Sequence, residues 1–166
     1  MEKFQELYEL SLSKIKIADH IANSTYSFVQ DPKLLMRSIE NIFLALTYSM
    51  GALLHYERMF KRVPMFKDTF EEKMIILQHK VAPRYNIDRE YILLMRNLKE
   101  IILEHHNSPV EFVRGNELMI CDDDYKIKKI DLDLIRGYIS KSKSFLDEVD
   151  SIMSRNKSVF SRKLLL

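Results

Sequence analysis

The chain has 166 residues, 46% hydrophobic and 30% charged, with 26 basic against 24 acidic side chains and a net charge of +2. That balance excludes a disordered chain and wholesale nucleic-acid binding driven by net charge, though it leaves room for a local basic patch. With 3 glycines and 4 prolines there are too few turn residues for a sandwich or barrel. The expected class is therefore all-α, an antiparallel, up-and-down helical bundle of about five helices around one core.

From about Glu2 to Gln30, the residues Phe4, Tyr8, Leu12, Ile15, Ala18, Ala22 and Val29 recur in steps of three and four, one face of a helix. Asp31-Pro32 ends it, because proline disfavours a helical residue before itself and suits the first turn of the next helix. The second helix is expected from Pro32 to about Arg62, apolar nearly all round from Ile39 to Leu54, and so central. Its uncharged run, about Asn41 to Leu54, is too short to span a bilayer, which takes roughly 20 residues. Val63-Pro64 is read as its break.

A third helix is expected over Thr69 to about Val81, capped by Asp68 or Thr69 and stopped by Pro83. Asp88 caps a fourth that reaches His106, with Tyr91, Ile92, Leu94, Met95, Leu98, Ile101 and Ile102 as its stripe; Asn107-Ser108-Pro109 terminates it. The period then changes. Val110–Arg114, the turn Gly115-Asn116 and Glu117–Cys121 read as a hairpin, and Tyr125–Ile130 alternates as a third, exposed strand after Asp122-Asp123-Asp124. This β-hairpin or meander, about residues 110–130, is inserted before a fifth helix that starts at Asp131 or Asp133 and carries Leu134, Ile135, Tyr138, Ile139, Phe145, Leu146, Val149, Ile152 and Met153. Residues 1–156 then form the bundle and 157–166 a C-terminal tail, either frayed or continuing as a short helix.

Phosphate-binding glycine loops, paired CxxC, HExxH and GxSxG are all missing from the sequence. The basic residues Arg58, Lys61, Arg62 and Lys67, interleaved with Phe60 and Phe66, form a candidate phosphate-binding and base-stacking patch; solvated side chains at a helix end are the plainer reading. Glu104-His105-His106 offers acid–base groups, or simply two cations at the negative end of a helix dipole. Neighbouring helical residues point about 100° apart, so the two histidines do not share one metal, and the aspartate run lacks the calcium-loop pattern. No metal and no cofactor are expected. Cys121 is the only cysteine, which fits a reducing, cytoplasmic compartment, and Met1–Glu6 lacks the apolar core of a signal peptide.

The order of helices, the long apolar second helix, and Leu94-Met95-Arg96-Asn97-Leu98 followed by Glu104-His105-His106 resemble a HEPN domain over about Glu2 to Arg155. The resemblance implies an α-helical module that often dimerises. Many such domains are metal-independent ribonucleases. Others are noncatalytic partners of nucleotidyltransferases, or bind nucleotides. The nucleases carry an arginine, a polar residue and then a histidine four to six residues on. Arg96 and Asn97 match the start, but 8 and 9 residues separate Arg96 from His105 and His106. The expectation is a noncatalytic or weakly active HEPN-like module that binds RNA, a nucleotide or a protein partner. The alternatives are a toxin-like ribonuclease using Arg96, Asn97 and His105 or His106, and a purely structural dimeric bundle. The expected partners are a second copy and a nucleotidyltransferase-type protein, with no membrane.

Overall fold

A computed structural model describes residues 1–108 and 110–164, with side chains described as far as Arg155. Asp31-Pro32 separates the first two helical rods as its residue types require. Gln30 turns left-handed (φ 52°), and the Asp31 carboxylate accepts the Lys33 amide at 3.0 Å, which opens the next helix. The first rod is α1 (Lys3–His20), a π-helical turn (Ile21–Thr25) and α2 (Tyr26–Val29). The π turn holds one residue more than an α turn, and so keeps Ala18, Ala22 and Tyr26 on one buried face although each step is four residues. This shift of phase corrects one expectation: Val29 is 60% exposed, and Tyr26 takes the inward place.

The second rod, α3 (Lys33–Met59), is central, with Leu35, Ile39, Ile42, Leu46, Met50, Leu53 and Leu54 fully buried. It pairs antiparallel with α1: Ser38 Oγ donates to Ala18 O at 3.0 Å. Its end differs from the expected break at Val63-Pro64. The Arg62 amide bonds back to Glu57 O and the Lys61 amide to Arg58 O, the paired bonds of a Schellman cap, so the helix closes at Met59 with Lys61 left-handed at φ 57°.

In the third rod, the Thr69 hydroxyl accepts the Glu72 amide and opens α4 (Phe70–Ile76). Pro83 does not stop this rod. A π turn (Leu77–Val81), closed by the Ala82 amide on Leu77 O, shifts the hydrogen-bond ladder by one residue just ahead of the proline, and α5 (Ala82–Tyr85) continues with Pro83 in its first turn. Asp88 caps α6 (Arg89–Asn107), which buries Ile92, Leu94, Met95, Leu98 and Ile101. Pro109, part of the expected stop, lies outside the described residues.

The change of period after α6 yields an antiparallel meander, β1 (Val110–Arg114), β2 (Glu117–Cys121) and β3 (Ile127–Ile130), in the order β1-β2-β3. Arg114 pairs with Glu117 across a two-residue turn with Gly115 at φ +62°, the conformation a tight hairpin asks of glycine. The aspartate run also makes a turn: Asp122 Oδ1 accepts the amides of Asp124 and Lys126 at 2.9 and 2.8 Å. Leu118, Ile120 and Ile130 point into the core. Asp131 Oδ1 accepts the Leu134 amide and caps α7 (Leu132–Leu164), whose stripe from Ile135 to Met153 packs on α1 and α3. The backbone of the tail thus continues as helix to Leu164; Leu165 and Leu166 lie outside the described residues. Among the described residues, no helix is long and apolar enough to cross a membrane.

Candidate functional site

The antiparallel pairing of α1 with α3 decides which charges meet. Lys3 and Phe4, at the start of α1, sit against His55, Arg58 and Met59 at the end of α3. With Glu2 these residues line a groove of about 230 Å³. Lys61, exposed in the left-handed cap, is in the next turn of chain after Arg58. Among the described residues, Lys3, Arg58 and Lys61 have no carboxylate within ion-pair distance, whereas Lys73 is held by Asp68 at 2.8 Å. His55 stacks edge-on against Phe66 with ring centres 5.2 Å apart. Burial first, then the charges of Arg58 and Lys3, holds His55 below the usual histidine range, with Asp68 pulling weakly the other way. The groove therefore holds two cations outside any ion pair and an imidazole kept neutral, with the Glu2 carboxylate in its lining and Asp68 near enough to act on Lys3 and His55; on balance this chemistry favours an anion.

Arg62, expected in the same patch, does something else. Glu57 is wholly buried, and its Oε1 meets Arg62 Nη1 at 3.1 Å while its Oε2 meets Arg84 Nη1 at 2.6 Å. Tyr85 Oη donates to Glu57 Oε1 and accepts from Arg62 Nη1 at 2.9 Å. Burial and the Glu57 carboxylate together raise the Tyr85 pKa, so the phenol stays a donor. This network ties the Schellman cap to the end of the third rod, and so fixes the turn that carries Lys61. The guanidinium of Arg62 also lies over Phe60, 4.7 Å from the ring centre.

The expected catalytic set is not brought together. Arg96 is exposed and donates to Gln78 Oε1 at 2.7 Å, toward the third rod. His105 Nδ1 meets Glu111 Oε2 at 2.6 Å, on the side of the sheet. Between them α6 is unbroken, so a step of nine residues turns about half a revolution and rises about 13 Å. His106 is exposed and Asn97 lines a different groove, beside Lys128 and Tyr138. Among the described residues, no three histidine, cysteine, aspartate or glutamate side chains gather as a metal site.

Two features escaped sequence reasoning. Lys3 lies 28 residues before Asp31 and Met59 lies 28 after it, so a tight connection there already opposes them. Glu57 continues the core spacing Met50, Leu53, Leu54, which marks it as buried rather than as part of a polar helix end. In comparison with known proteins, the chain matches no family model, no curated protein and no solved structure.

Proposed function

We propose that the chain is a noncatalytic HEPN-like module, its helices arranged as an up-and-down antiparallel bundle, that binds RNA through phosphate contacts at the Lys3–His55–Arg58 groove. One observation carries this reading: Lys3 and Arg58, neither with a carboxylate within ion-pair distance among the described residues, line one groove, and the left-handed Lys61 stands in the next turn of chain after Arg58. Strained backbone persists where the surrounding structure enforces it, and such strain gathers at binding sites. The separation of Arg96 from His105 supports the noncatalytic half. On this reading the protein works in the cytoplasm, and a nucleotidyltransferase-type protein is the partner that the resemblance suggests.

The test is titration of a fluorescent single-stranded RNA at several salt concentrations. Three phosphate contacts give a slope of about −2 in log K against log salt. Arg58→Glu should weaken binding by about tenfold or more, the effect of removing one contact and adding a repulsive charge. Affinity that ignores salt, or survives Arg58→Glu, would overturn the proposal. A protein that binds a mononucleotide as tightly as RNA would redirect it.

A further inference from the structure

The two edges of the meander are built differently. β3 carries Lys128 and Lys129, and Lys126 precedes it; lysines on an edge discourage pairing with another chain. Carboxylates engage two of them: Lys128 meets Glu104 and Glu100, and Lys129 meets Glu117. β1 has no such guard. Val110-Glu111-Phe112-Val113-Arg114 holds no lysine and no proline, and all five residues are exposed. Its register with β2 runs from Val110↔Cys121 to Arg114↔Glu117 without a bulge. Charge, proline, bulges and covering elements are how natural edges are blunted, and among the described residues β1 shows no bulge and no cover.

The face of this sheet turned away from the core also carries an apolar stripe. By alternation, Leu118, Ile120 and Ile130 point inward, together with Val113 and with Glu111 and Lys128, which meet His105 and Glu104 of α6. Val110, Phe112, Met119, Cys121 and Ile127 therefore share the outer face, with Lys129, Glu117 and Arg114 at its other end. Met119 and Cys121 are buried yet stand outside the main core cluster, while Val110, Phe112 and Ile127 are 48%, 41% and 56% exposed.

We infer that β1 pairs antiparallel with β1 of a second copy, giving a six-stranded sheet across a two-fold axis. The occupant is chosen by self-complementarity. One antiparallel register alone pairs all five residues, and it sets Phe112 opposite Phe112, Glu111 opposite Val113 and Val110 opposite Arg114. No like charges face each other in it, whereas a shift of two residues toward the N-terminus would oppose Glu111 to itself. The register keeps outer face beside outer face, so the apolar stripe Met119–Phe112 continues into its symmetry mate. An aromatic cross-strand pair at the axis adds to the ladder. This dimer does not use α3, whose apolar faces are covered within the chain apart from positions such as Leu44.

Light scattering on the full chain at micromolar concentration should give the mass of two copies, and Phe112→Lys, which puts two ammonium groups at the axis, should give the mass of one with an unchanged circular dichroism spectrum. Opposed residues on antiparallel strands have Cα atoms about 4.5–5.5 Å apart, within disulfide range. Phe112→Cys in a Cys121→Ser background should thus cross-link two chains under mild oxidation, and Arg114→Cys in that background should not. A monomeric wild-type chain, a dimer that persists in Phe112→Lys, or failure of Phe112→Cys to cross-link would each overturn the inference. So would a chain that stays monomeric while binding an extended peptide along β1.

Discussion

Replacing Lys61 with glycine separates strain from function at one position. Lys61 occupies the left-handed site of the Schellman cap, φ 57°, where glycine is the usual residue. The left-handed conformation costs an L-residue about 1–2 kcal/mol. Glycine removes that strain but gives back about 0.5–1 kcal/mol through the greater freedom of its unfolded chain. Lys61→Gly should therefore stabilise the fold by about 0.5–1 kcal/mol, which raises Tm by about 1–4 °C in a chain of this size. The same substitution deletes a cation of the groove, so RNA affinity should fall and the salt slope should weaken from about −2 to about −1.4. Urea denaturation reads the first effect and RNA titration the second. Lys61→Asn, which tolerates the left-handed region without the charge, should lose binding and keep stability. A less stable Lys61→Gly protein would refute the strain argument; unchanged RNA affinity would remove Lys61 from the site.

Glu57→Gln should cost about 2 kcal/mol in urea denaturation, below the 3–5 kcal/mol of a fully buried broken pair because Arg62 and Arg84 are 32% and 40% exposed; a change under about 0.5 kcal/mol, the range of ordinary surface substitutions, would show that the network holds nothing. His55 has a folded pKa below its unfolded value, so its contribution to stability is present above the unfolded pKa and is lost as pH falls through that value toward the folded pKa. Bound phosphate opposes this by favouring the imidazolium, so RNA affinity should rise about fivefold on acidification through the histidine range, the equivalent of about 1 kcal/mol, and His55→Gln should abolish the rise. Purified protein should cleave no RNA, and Arg96→Ala and His106→Ala should each leave RNA binding unchanged; metal-independent cleavage lost in both variants would restore the nuclease reading.

Periodicity and turn chemistry made most of the fold legible. The stripes of α3, α6 and α7, the caps Thr69 and Asp88, and the switch to alternation after Pro109 are local signals, and each marks an observed element. The departures have two causes: a Schellman cap without glycine ends α3 at Met59, ahead of Val63-Pro64, and π turns account for the others. A π turn moves the phase of the first rod and another admits Pro83 into the third, and a one-residue widening leaves no signature that composition or a fixed period detects. The site was half legible for a related reason. Arg58, Lys61 and Arg62 are close in sequence and look like one patch, but Glu57 claims Arg62, and Lys3 joins from the far end of another helix. Which cations remain outside an ion pair depends on where the buried Glu57 carboxylate sits, a matter of tertiary packing.

The groove and the β1 edge lie at opposite ends of one rod, and this gives the two proposals a joint consequence. Tyr26 Oη donates to Asn116 O at 3.3 Å, so the β1–β2 turn rests on the end of the first rod, while Lys3 opens the same rod. At about 1.5 Å per residue, Lys3 and Tyr26 are about 35 Å apart. Two copies joined at β1 therefore hold their grooves far from the shared sheet, where a short oligonucleotide reaches only one. A long RNA bridges both, and its second contact is intramolecular, so avidity exceeds the single-site affinity by up to about a hundredfold or more once the strand spans the grooves. Affinity plotted against RNA length should rise in a step for the wild-type chain and stay flat for Phe112→Lys, with equal affinity for short RNA in both. A step that survives in Phe112→Lys would sever the link between pairing and RNA binding. Equal loss of short and long RNA binding in that variant would place Phe112 in the RNA site itself, because only a direct contact acts independently of length.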